Sequence, residues 1–161
     1  MALLSLLVEL LVVAGLAVAL GLSTALVVVD LREHRLPNEL VAALFMAGLV
    51  VAVVRIVEED WPVIFVAFGS LGFGSPFLLI NLLRPAALGF GDVKLAFCLG
   101  LFLGAFAPGT VPFALGLVAL VQLLLRLALG HRTVAFGPIL VGAVLICVGP
   151  PVYNYFIGIS A

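Results

Sequence analysis

Two aspartates, Asp30 and Asp92, are the residues best placed to do chemistry. Each stands at the edge of a long apolar run, where an ionisable group is costly and demands an account. Asp30 closes the first run, just before Arg32-Glu33-His34-Arg35, and Asp92 follows Gly89-Phe90-Gly91 and opens a later one. Two carboxylates brought together share a proton, because like charges at short range cannot both ionise cheaply. One is then a base that activates water, and the other an acid that protonates the leaving group of a peptide bond. That is the chemistry of an aspartic protease, and it needs no metal and no cofactor. Taken singly, each has a plainer explanation: Asp30 as a boundary residue paired with Arg32 or Arg35, the Gly-Phe-Gly triplet as a flexible loop. Together on one side of a membrane they make a site.

The neighbouring residues carry further expectations. Gly89 and Gly91 permit backbone conformations closed to other residues, so the chain is expected to bend sharply before Asp92 and approach a substrate. Lys94 is expected to anchor the helix end at the interface or to stabilise an ionised carboxylate. Glu39, directly after Asn38, suits the first turn of a helix, where the dipole favours a carboxylate. His34 and His131 lie beside arginines in loops and are assigned to water or lipid headgroups. Cys98 and Cys147 both sit inside apolar runs, with no CxxC pair. Neither a structural zinc nor a disulfide framework is supported, and both read as small apolar helix residues.

The elements that must position the aspartates follow from composition. Of 161 residues, 66% are hydrophobic, with only seven basic and eight acidic residues and a net charge of −1. Soluble domains carry roughly 45–50% apolar residues, so most of this surface faces something other than water. A soluble enzyme, a nucleic-acid binder and a disordered linker are excluded. The chain reads as one domain over 1–161, an all-α polytopic integral membrane protein. A span needs about 20 apolar residues, and six segments qualify: 3–29, 39–57, 62–83, 92–107, 111–129 and 134–157. Pro37, Pro62, Pro85 and Pro108 punctuate boundaries between them, since proline lacks the N–H that helix continuation needs. No Lys or Arg occurs in the first 29 residues, so the basic start of a cleavable signal peptide is missing and the first segment reads as a retained helix.

Charge then sets orientation. Arg32 and Arg35 lie in the first loop, Arg84 and Lys94 flank the third, and Arg126 and Arg132 flank the fifth. Loops one, three and five are therefore assigned to the cytoplasm and both termini to the extracytoplasmic side. The second loop carries Glu58, Glu59 and Asp60, and the exceptional Arg55 beside it is expected to form an ion pair there. Small residues at helix-packing spacing, Ala17-xxx-Gly21 and Gly100-xxx-Gly104, would let the first and fourth helices approach each other. Asp30 and Asp92, 62 residues apart, fall on the same cytoplasmic boundary.

The run from Asp30 through Pro37 and Asn38, then Gly89-Phe90-Gly91-Asp92-Val93-Lys94, resembles the type IV prepilin peptidases, membrane aspartic proteases of bacteria. In that family the first helix ends in an aspartate followed by a basic loop and Ile- or Leu-Pro-Asn, and the second aspartate sits in GxGDxK. Phe136-Gly137-Pro138, preceded by Ala135, is similar to the family's Pro-Phe-Gly-Pro signature with its first proline replaced. The resemblance implies that Asp30 and Asp92 are catalytic, with Gly89, Gly91, Lys94, Pro37, Asn38, Gly137 and Pro138 as supporting motif. It implies prepilin or pseudopilin substrates, whose short basic leader is cut at the cytoplasmic face and whose apolar stem lies in the membrane. Localisation would be the bacterial cytoplasmic (inner) membrane, with lipid as a partner and no nucleic acid. Bifunctional members carry an insertion with paired CxxC motifs and methylate the new terminus. Without such motifs this chain resembles the peptidase-only short form.

Two other readings are open. An intramembrane protease of the presenilin or signal-peptide-peptidase kind also uses GxGD, but there a Tyr-Asp motif and a Pro-Ala-Leu string accompany it, and this sequence has neither. A transporter or assembly scaffold would show internal repeats or midplane polar residues, and the sequence offers no repeat and only Gln122 in mid-span.

Overall fold

The computed structural model describes residues 2–33, 36–58, 60–85, 88–129 and 135–159. Six α-helices make up the chain in order: α1 (Ala2–Glu33), α2 (Asn38–Glu58), α3 (Val63–Leu83), α4 (Phe90–Phe106), α5 (Val111–Leu129) and α6 (Gly137–Ile159). A 3₁₀ turn at Pro108–Thr110 links α4 to α5, and no strand occurs among the described residues. The helices follow the six expected segments with shifted ends. The largest shift is in α1, which continues through Arg32 and Glu33, so Asp30 lies within its last turn rather than at the start of a loop. His34, Arg35, His131 and Arg132 lie outside the described residues.

Five of the helices are long and apolar enough to cross a bilayer. The exception among the six expected spans is α4, whose 17 residues reach about 26 Å against a hydrocarbon core of about 30 Å. It is also the most enclosed helix, buried almost continuously from Leu95 to Phe106 except at Phe97. α3, α2 and α6 surround it. The buried core draws a residue from every helix: Leu26, Leu44, Phe73, Leu103, Ala114 and Leu140. Outward faces are apolar as well, with Leu71, Leu83, Leu124 and Leu127 exposed, as lipid contact requires.

The closest helix packing is between α3 and α4. A Cβ on Gly69 would overlap the Gly104 backbone, and one on Gly100 would stand 2.7 Å from Ser70 Cα. Gly100-xxx-Gly104 thus brings α4 against α3, not against α1 as expected from the sequence. Ala17 is exposed and Gly21 has nothing within 4 Å of its would-be Cβ, so that pair faces outward. α1 instead meets α2 through Gly15, whose Cβ would stand 2.7 Å from Val51 Cγ2.

Contacts at the two ends show that the helices alternate in direction. At one end, the close of α1 meets the starts of α2, α4 and α6. At the other, Arg55 near the end of α2 lies buried, its guanidinium 4.7 Å from the Trp61 ring centroid, 4.9 Å from Phe106 and 4.8 Å from Tyr155. Its Nε donates to the Ala105 carbonyl at 3.1 Å, and Trp61 Nε1 donates to the Gly104 carbonyl at 2.9 Å. Arg55 therefore sits in an aromatic enclosure joining α2, α4 and α6. Of the acidic cluster expected to pair with it, the side chains of Glu58 and Glu59 lie outside the described residues, and Asp60 is exposed.

Candidate active site

Asp30 is 6% exposed and, among the described residues, is buried along with only two other polar or charged residues, Ser23 and Arg55. Its Oδ2 accepts a hydrogen bond from the Gly137 backbone N–H at 2.9 Å, across 107 residues of sequence. The local sequence explains why Gly137 can donate. Phe136 O accepts from the N–H groups of Ile139 and Leu140, which makes Phe136 the cap of α6 and Gly137 its first residue. The first N–H groups of a helix have no partner within it, and Pro138 in the next position has none to satisfy. The Gly137 N–H is thus free to turn to Asp30, at the helix end whose dipole suits an anion. A Cβ at 137 would stand 2.8 Å from Asp30 Oδ2, so only glycine admits the carboxyl this close. Phe136 itself is held by Phe77 of α3, ring centroids 5.7 Å apart.

Asp92 occupies the third position of α4 after Gly89, and its N–H donates to the Gly89 carbonyl at 3.1 Å. Its carboxyl turns back over the Gly89 backbone, with Oδ2 3.4 Å from where a Cβ on that glycine would stand, in the manner of a capping box. The Asp30 carboxyl lies within electrostatic reach of Asp92. The structure therefore brings the two aspartates, one from the last turn of α1 and one from the first turn of α4, to the same end of the bundle.

The glycines before Asp92 do not work as the sequence suggests. Gly89 has φ −67° and ψ 145°, extended backbone that any residue adopts, and Gly91 is helical. What they supply is closeness: a Cβ on Gly91 would stand 3.1 Å from Leu36 Cβ. Leu36 precedes Pro37, whose carbonyl accepts from the Val41 N–H at 3.2 Å to start α2. Lys94 completes the link, its Nζ donating to Asn38 Oδ1 at 2.9 Å and lying 5.2 Å from the Phe90 ring centroid. Lys94 thus ties α4 to the start of α2. Two segments, Leu36-Pro37-Asn38 and Gly91-Asp92-Val93-Lys94, are one contact surface.

A sequence model of the type IV leader peptidase family matches residues 17–130. The chain belongs to that family. The match takes in both aspartates, Pro37, Asn38 and the Gly89–Lys94 run, and stops short of Gly137. As a type IV leader peptidase the protein is an aspartic protease, and its long apolar helices make it a multi-pass membrane protein. The comparison with curated proteins gives no match, and neither does that with solved structures. The leader peptidase's α6 supplies Gly137, which in the sequence stands out only as part of the Phe-Gly-Pro signature. Its contact with Asp30 had one signal, a glycine placed directly before a proline at the start of an apolar run.

Proposed function

We propose that this leader peptidase removes the short basic leader of type IV prepilins or pseudopilins at the cytoplasmic membrane face, with Asp30 and Asp92 as its catalytic pair. The observation that supports this most is the placing of Asp92 within reach of an Asp30 fixed by the Gly137 N–H. The cleavage proposed needs one of the two carboxyls ionised and the other protonated. The ionised member takes a proton from water as it attacks the scissile carbonyl. The protonated member gives its proton to the departing amine, leaving the leader with a new carboxylate and the pilin with a new amino terminus. Gly137 and Pro138 act by holding Asp30, and Gly91, Pro37, Asn38 and Lys94 by fixing the turn that carries Asp92.

The absence of any CxxC pair in this sequence supports cleavage without methylation, in the cytoplasmic membrane of a bacterium. The test is purified protein in detergent or liposomes with a prepilin of a tight-adherence-type pilus and S-adenosylmethionine. The expected product has lost its leader, carries no added methyl mass, and forms at the same rate in the presence of a chelator. An uncut prepilin, or a rate abolished by the chelator, would falsify the reading.

A further inference from the structure

α3 carries neither aspartate, but it touches the support of both. Gly69, Phe73, Phe77 and Asn81 recur every four residues and form one stripe along it. That stripe is firmly seated. Gly69 lies against the backbone of Gly100 and Gly104 on α4. Phe73 is fully buried, Phe77 is 5% exposed, and their rings meet edge to face with centroids 5.5 Å apart. Beside the stripe, Ser70 Oγ donates to the Phe97 carbonyl of α4 at 3.1 Å.

The stripe ends in two contacts. Phe77 packs edge to face on Phe136, 5.7 Å between centroids, and Phe136 directly precedes the Gly137 whose N–H holds Asp30. One turn further along α3, Asn81 Nδ2 donates to the Leu88 carbonyl at 2.7 Å. Leu88 is buried and directly precedes Gly89, whose carbonyl accepts from the N–H groups of Asp92 at 3.1 Å and Val93 at 3.5 Å. A polar side chain in an apolar span is costly without a partner, and this amide gives its N–H to the backbone that enters α4. The helices that bear the aspartates pack mainly on others, α1 on α2 and α4 on α3 and α2, so the spacing of the pair depends on what lies around them.

We infer that α3 sets the spacing of the two aspartates, with Phe77 and Asn81 as positioning residues: Phe77 fixes Asp30 through Phe136 and the Gly137 N–H, and Asn81 fixes Asp92 through the Leu88 carbonyl. The inference rests on the proposed reading of Asp30 and Asp92 as the catalytic pair. One carboxyl must reach a water and the other the departing amine on the same peptide bond, so the two have to be held relative to each other. A single rigid helix that touches both supports one turn apart does this without contributing a reacting group. Neither residue contacts the substrate, so their loss acts on the chemical step and leaves binding alone.

The experiment measures kcat and KM for prepilin cleavage, per folded molecule, in detergent. Asn81→Leu keeps the approximate size of the side chain and removes its donor, and kcat is expected to fall about tenfold with KM unchanged. Asn81→Gln keeps a donor and is expected to recover most of that loss. Phe77→Leu is expected to lower kcat about tenfold as well, but to lower it no further in the Gly137→Ala protein, where the N–H it positions is already displaced. Asn81→Leu, acting on the other aspartate, keeps its full effect in that background. Phe136→Leu, at a half-buried position, tests the same ring contact should Phe77→Leu not fold. An unchanged kcat in Asn81→Leu or in Phe136→Leu overturns the inference, as does a raised KM at intact kcat. Equal losses in Asn81→Leu and Asn81→Gln, or effects of Phe77→Leu and Gly137→Ala that multiply, overturn it too. An unaltered protein that cuts no prepilin is a different failure: it overturns the peptidase reading, and this inference with it.

Discussion

Gly137 is the residue on which the geometry of Asp30 turns. Its N–H holds the carboxyl, and its missing side chain leaves the carboxyl room. Gly137→Ala must push one of the two aside. A displacement of about 1 Å at a reacting group costs on the order of 100-fold in rate, so the cleavage rate is expected to fall about that far. The amount of folded protein in the membrane should change little, and initial rates normalised to that amount check this. Gly91→Ala meets Leu36 Cβ at 3.1 Å, a contact a small shift relieves, and a loss of only a few-fold, about 2 to 5, is expected on the same scale. Asp30 and Asp92 stand out in the sequence because an acid at the edge of an apolar run has few uses. The partner of Asp30 was harder to find: a backbone N–H belongs to no residue type, and the glycine before Pro138 marks a helix start without saying where its N–H points.

Among the elements, α4 carries most of the packing. Its contact with α3 depends on Gly69, Gly100 and Gly104, which let the two backbones approach without side chains between them. Gly69→Val is expected to destabilise the bundle by about 3 kcal/mol, since relief requires backbone movement. Gly116→Ala and Gly142→Ala, where nothing lies within 4 Å of the new Cβ, are expected to be tolerated. Thermal denaturation in detergent separates the two groups. The existence of six helices was readable from apolar runs and proline breaks. Which helix sits at the centre was not, because in a membrane protein the outward faces are as apolar as the inward ones. The usual one-sided stripe that marks a core face is therefore missing. That is why Gly100 and Gly104 could be read as small-residue packing positions while their partner helix was misassigned.

At the scale of the whole molecule, the two ends of the bundle are built differently. One is closed by Arg55 among Trp61, Phe106 and Tyr155, joining α2, α4 and α6. The other gathers the aspartates, the Gly137 N–H and the Lys94–Asn38 hydrogen bond. A guanidinium stacked on aromatic rings contributes about 1 to 2 kcal/mol when desolvated, and Arg55→Met also leaves the Ala105 carbonyl without its donor. The expected outcome is a lower melting temperature with the cleavage specificity intact, because the change lies at the end opposite the aspartates. The proposed orientation, with the aspartate end cytoplasmic, is supported by the placing of Arg32, Arg84, Lys94 and Arg126. A reporter fused at the C-terminus is expected to be active outside the cytoplasm, and one inserted between α1 and α2 inside it.

Asp30 and Asp92 are proposed to act together as one catalytic pair. The most direct measurement is processing of a co-expressed prepilin by the unaltered protein, by Asp30→Asn and by Asp92→Asn, with membrane levels matched and the leader followed by gel shift. Asparagine keeps the size of each side chain and removes its acid. Cleavage by the unaltered protein and by neither variant is the expected result. Full processing by either variant would contradict the pair and remove that aspartate from the site.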